Sequence, residues 1–113
     1  MIQVDVHQNN DIIYMSINGR LDYHSVTTLR KILSHAVRER PRLLVLGLHK
    51  VNIMDSAALG LLIAVKNTLE TIKGTLILCE MTHHVRRIFK TTKMMEYFTI
   101  TPTKEDAFDY IKE

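Results

Sequence analysis

Two short apolar runs, Leu43-Leu44-Val45-Leu46-Gly47-Leu48 and Thr75-Leu76-Ile77-Leu78-Cys79, flank a long helical pattern, and that arrangement leaves few folds open. Neither run alternates apolar with polar residues, so each reads as a strand buried on both faces. Between them a helix beginning near Ser56 is expected to run to Ile72, with Gly74 as its C-terminal stop. Its first two turns are apolar all round, as in a helix packed on several sides or one that offers part of its face to a partner. A crossover of this length joins parallel strands, and a parallel sheet needs helices over its faces.

The flanking segments extend this core. Ile2 to His7 alternates like a half-buried strand, and Gln8-Asn9-Asn10-Asp11 has a tight-turn composition. A second strand, Ile12 to Ile17, runs to Asn18-Gly19 and completes an antiparallel hairpin. Val26, Leu29, Ile32, Leu33, Ala36 and Val37 then form one helical stripe, which should stop before Pro41. Asp22 is placed to cap that helix, and Arg38, Arg40 and Arg42 suit the negative end of its dipole.

Beyond the second buried run, Thr82 should cap a helix with Val85, Ile88 and Phe89 inward. Phe98-Thr99-Ile100 reads as a short edge strand. Thr103 caps a last helix carrying Ala107, Phe108, Tyr110 and Ile111. The order β-β-α-β-α-β-α-β-α predicts an α/β fold, with a mostly parallel central sheet, an N-terminal antiparallel hairpin strand and about four helices.

Composition sets the remaining bounds. With 113 residues, 46% hydrophobic and 24% charged, the chain matches one domain spanning residues 1–113. Cys79 is the sole cysteine, which excludes an internal disulfide and a cysteine-built metal site; its surroundings make it a small buried hydrophobe. No apolar run approaches the ~20 residues of a bilayer span. The N-terminus lacks the basic start of a signal peptide, so a soluble, cytoplasmic protein without membrane insertion is expected.

The net charge of +3 includes a cluster of Arg86, Arg87, Lys90 and Lys93 near one helix, a solvated face or a contact for an acidic partner or nucleic acid. No aromatic platform accompanies it, so no direct nucleic-acid partner is expected. His83 and His84 are adjacent and point apart on a helix, while His24, His35 and His49 are scattered; no metal site follows. Met94-Met95-Glu96-Tyr97-Phe98 reads as packing in the core and a loop. There is no Gly-rich phosphate loop or nucleophile–base motif, so neither an enzyme nor a cofactor is expected.

Two segments carry more. Gly19-Arg20-Leu21-Asp22 ends a strand, and Met54-Asp55-Ser56-Ala57-Ala58-Leu59-Gly60 is entered from a strand and opens a helix. Read locally, Ser56 is a good N-cap, and Asp55 either caps the helix and holds backbone donors or meets a partner directly. With the order of elements, these segments resemble the STAS family, in which Gly-Glu-Leu-Asp and Asp-Ser-Ser/Thr-Gly-Leu-Gly occupy the same places. The resemblance covers essentially the whole chain and points to the anti-anti-sigma branch.

That resemblance implies an anti-sigma factor antagonist. Its partner would be an anti-sigma factor serine kinase with a histidine-kinase-like ATP-binding fold, bound by the unphosphorylated form. Phosphorylation at Ser56 would release it, and a PP2C-type serine phosphatase would reset the cycle. The partner-binding set would be Asp22, Tyr23, Asp55, Ser56, Leu59 and Leu62. A phosphate at Ser56 would lie at a helix N-terminus, where free N–H groups stabilise an anion.

Three departures are visible. Ala57 replaces a second hydroxyl, leaving Ser56 as the sole local acceptor, Ala58 replaces glycine, and Arg20 reverses the usual acidic charge. The family also contains transport-associated domains, so a second reading is a STAS subunit of a membrane lipid-transport ATPase complex with no phospho-switch.

Overall fold

The computed structural model describes residues 2–110. β1 (Gln3–Asn9) and β2 (Ile12–Leu21) form the hairpin, with Asn10 at φ 57° in its two-residue loop. α1 (Val26–Arg38), β3 (Leu43–Met54), α2 (Ser56–Thr71), β4 (Thr75–Cys79), α3 (His83–Thr91), β5 (Thr99–Thr101) and α4 (Lys104–Asp109) follow. Ile111, expected in the last helix, lies outside the described residues. The sheet order is β1-β2-β3-β4-β5; β1 pairs antiparallel with β2, and every other pair is parallel.

The non-alternating runs have a simple cause. Leu44, Leu46, Leu48, Leu76 and Leu78 face the core shared with α1, α2 and α3. Leu43, Val45, Ile77 and Cys79 face the other way, packed with Tyr14 and with Ala107 of α4. A Cβ at Gly47 would collide with the Tyr14 hydroxyl, so glycine lets that ring cross the sheet. Cys79 is fully buried, and burial first, then the Glu80 charge, pushes its thiol up to about 12. A thiol-specific reagent at neutral pH should therefore leave Cys79 unmodified until denaturant unfolds the chain; stoichiometric labelling of native protein would contradict this burial.

Two strands outrun their sequence patterns. β2 continues to Leu21 and β3 to Met54, pairing Gly19 with Val51, Arg20 with Ile53 and Leu21 with Met54. The register slips twice here, and Gly19 takes up the distortion at φ 131°. This extension brings the Gly-Arg-Leu-Asp segment alongside Asp55-Ser56.

The C-terminal stop of α2 is also built differently from the expectation. Lys73, not Gly74, is the left-handed residue, at φ 64°. Its N–H donates to Glu70 O at 3.2 Å and the Gly74 N–H to Leu69 O at 2.7 Å, a Schellman closure. Gly74 serves close approach instead, because a Cβ there would stand 2.7 Å from the Pro41 carbonyl oxygen. We expect Lys73→Gly to raise stability by about 1 kcal/mol and Gly74→Ala to lower it, by chemical denaturation.

Candidate functional site

The chain turns from β3 into α2 at Asp55, whose extended backbone (φ −111°, ψ −178°) frees its side chain to fold over the helix start. Asp55 Oδ1 accepts from the Ala57 N–H at 3.0 Å and the Ala58 N–H at 3.1 Å. Oδ2 accepts from the Tyr23 N–H at 3.0 Å, and the Asp55 N–H donates to Leu21 O at 3.0 Å. One carboxylate thus caps α2 and clamps the β2–α1 loop to it.

This bears out Asp55 as the cap and holder of backbone donors, and corrects the local reading of Ser56 in that place. Ser56 is the first residue of α2 and is exposed, and its hydroxyl makes no hydrogen bond among the described residues. The free N–H groups expected to receive an anion are correspondingly fewer, since Asp55 already holds those of Ala57 and Ala58. A phosphate on Ser56 would project outward beside a carboxylate, with the helix dipole as its main local support.

The β2–α1 loop is ordered by its own polar groups. Asp22 Oδ1 accepts from the His24 N–H at 3.1 Å and the Ser25 N–H at 3.3 Å. Buried Ser25 donates to Arg20 O at 2.7 Å and accepts from the Asp22 N–H at 3.1 Å. Asp22 was expected to cap α1; Ser25 holds that position, without a side-chain cap, while Asp22 folds the loop ahead of it.

Arg20 turns its Nε to Asp22 Oδ2 at 3.4 Å, so the reversed charge is answered within the loop itself. Burial pushes the Asp22 carboxyl up, but the Arg20 guanidinium and the His24 and Ser25 N–H groups outweigh it and hold it below the usual carboxylate range.

Clamping leaves Tyr23 outside, 66% exposed, its ring 4.0 Å from that of His24. Ile53, paired with Arg20 at the end of β3, is also exposed. Leu59 and Leu62, expected on the docking face, are 5% and 0% exposed and belong to the core. The outward row of α2 is instead Ser56, Gly60, Ile63, Ala64 and Asn67, of which Ile63 is partly buried. Ser56, Gly60 and Ala64 leave the helix backbone with little side-chain cover along this row. An all-apolar start to a helix hides which side faces the sheet, so periodicity alone does not separate buried Leu59 and Leu62 from the outward row.

A second polar group was missed. Glu80, at φ 60° after β4, lies with Oε1 3.4 Å from the Tyr14 hydroxyl and 3.3 Å from His49 Nδ1. Burial, then the Glu80 charge, pushes the Tyr14 hydroxyl up to about 12. Only parallel pairing of β3 with β4 brings His49 and Glu80 together, and no local signal announces it. Among the described residues, no cluster of potential ligands could hold a metal and no helix is long and apolar enough to cross a membrane.

The STAS domain profile matches residues 3–107. The anti-sigma-B factor antagonist of Bacillus subtilis is 30% identical over 104 residues, covering 92% of this chain and 94% of that protein. Among solved structures, an anti-sigma factor antagonist from Mycobacterium paratuberculosis superposes with a TM-score of 0.87 at 23% identity, over 100% of this chain and 96% of that one. The Bacillus cell fate determinant SpoIIAA in its phosphorylated form superposes with a TM-score of 0.73 at 21% identity, over 97% and 100%. This chain belongs to the STAS domain family, and the relatives it matches include anti-sigma factor antagonists.

Proposed function

We propose that this single-domain protein is a cytoplasmic, non-enzymatic anti-sigma factor antagonist whose grip on a kinase-type anti-sigma factor is switched by phosphorylation of Ser56. The observation that carries this reading is the division of labour at the start of α2. Asp55 does the capping, and Ser56 is left exposed with a free hydroxyl on a fixed helix end. The docking surface would comprise Tyr23, Ser56 and the outward row of α2, with Asp22 and Asp55 shaping it from below.

The partner would be a serine kinase with a histidine-kinase-like ATP-binding fold, and a PP2C-type phosphatase would reverse the modification. Relatives named for antagonism of anti-sigma factors, one of them solved in a phosphorylated form, support the reading. Parallel pull-downs from native lysate with wild-type and Ser56→Asp baits test it. Retention of an ATP-binding kinase by the wild-type bait alone is expected. Recovery of the same membrane ATPase subunits by both baits would favour the transport-complex reading instead.

A further inference from the structure

The two edges of the sheet are unlike. β5 has three residues and is followed by Pro102, which limits strand addition there. β1 has seven residues, lacks proline, lysine and any bulge against β2, and its outer edge meets no strand among the described residues. Val6, in its middle, is 51% exposed.

The two-residue loop between Asn9 and Ile12 fixes which backbone groups are free. In such a hairpin the closing pair is hydrogen-bonded, so Asn9, His7, Asp5 and Gln3 turn their N–H and C=O groups toward β2. Val4, Val6 and Gln8 turn theirs outward.

We propose that this edge pairs with β1 of a second copy of the chain, antiparallel about a two-fold axis through Val6. In that register Val6 faces Val6, Val4 faces Gln8 of the second copy, and every outward donor between them meets an acceptor. Asp5 then faces His7 of the second copy, and His7 faces its Asp5, so an acid stands opposite a histidine twice. Moving the axis one residue to Asp5 would set two carboxylates face to face, and moving it to His7 would set two imidazoles together. The strand's own sequence selects the Val6 axis.

The neighbouring surface fits the same occupant. A groove of about 400 Å³ lies between β1 and α1, its apolar lining Val6, Ile13, Met15, Ile32 and Ala36 joined by polar Gln8, Lys31, His35 and Glu39. Val4 and Val6 point to the side of the sheet that carries Ile17 and Met15, their partners on β2. The same two side chains of the second copy would therefore stand over the groove and cover exposed Val6. The pairing makes one ten-stranded sheet in which the two copies of β2 run in opposite directions. Each Ser56 surface lies at its own end and stays open, so the dimer does not depend on the phosphorylation reading.

Cysteine scanning with sedimentation velocity tests the register. Residues facing each other as a hydrogen-bonded pair lie about 5.5 Å apart at Cα, within the range a disulfide spans. Val6→Cys should therefore give a covalent dimer under mild oxidation. Val4→Cys should not, because the two copies of that position are offset by about 13 Å along the strand. Wild-type protein should dimerise reversibly with concentration. Val6→Lys, which puts two ammonium groups on the axis, should abolish the dimer with an unchanged circular dichroism spectrum. A wild-type chain that stays monomeric up to its solubility limit, equal cross-linking of both cysteine variants, or a Val6→Lys protein that still dimerises would each overturn the proposal.

Discussion

Ser56→Asp should lower affinity for the anti-sigma partner roughly a hundredfold or more while leaving the melting temperature nearly unchanged. The two halves of this result have separate causes. Ser56 is exposed at the first position of α2, so a carboxylate there displaces no packing. The positive helix end favours it and Asp55 opposes it, two small effects of opposite sign at a solvated position. At an interface the balance changes. Charge added beside Asp55 must be desolvated when the partner docks, and the Ala57 and Ala58 N–H groups that could have answered it are already taken. Calorimetry with purified partner would measure the loss, and thermal unfolding would verify the fold. A variant that binds as tightly as wild type would remove Ser56 from the contact.

Leu62→Ala should behave in the opposite way, costing about 2–5 kcal/mol of stability. Leu62 is fully buried in the core between α2 and the sheet, so truncation leaves a cavity that its packed neighbours only partly close. Partner affinity of the fraction that remains folded should stay near wild type, because this side chain does not reach the surface. Denaturant unfolding measures the first quantity and titration under stabilising conditions the second. A stable variant with weakened binding would return Leu62 to the docking face.

How far the sequence alone leads differs between the fold and the site. The buried runs at Leu43–Leu48 and Thr75–Cys79, with a helix between them, implied the parallel core, and the alternation of Ile2–His7 implied the hairpin; the observed order of elements matches. Strand lengths were less visible. β2 and β3 extend to Leu21 and Met54 through register slips that only the paired strand defines.

At the site, the Asp-Ser pair was visible and capping by Asp55 was one of the roles open to it, but the choice between the two residues was not fixed. An N-cap preference shared by Asp and Ser cannot decide which of two adjacent residues takes the cap, and here the Tyr23 N–H draws in Asp55. The burial of Leu59 and Leu62 is not legible either, because periodicity carries no phase where nearly every position is apolar. The His49–Glu80–Tyr14 group depends on three strands meeting, which local spacing does not encode.

The most direct test of the phospho-switch is phosphate transfer itself. The purified chain, incubated with its captured kinase partner and ATP, should gain one phosphate that peptide mass spectrometry maps to Ser56, and the modified protein should leave the complex. Ser56→Ala should remain unmodified and bound. Phosphate on another residue, or a modified protein that stays in the complex, would contradict a switch at Ser56.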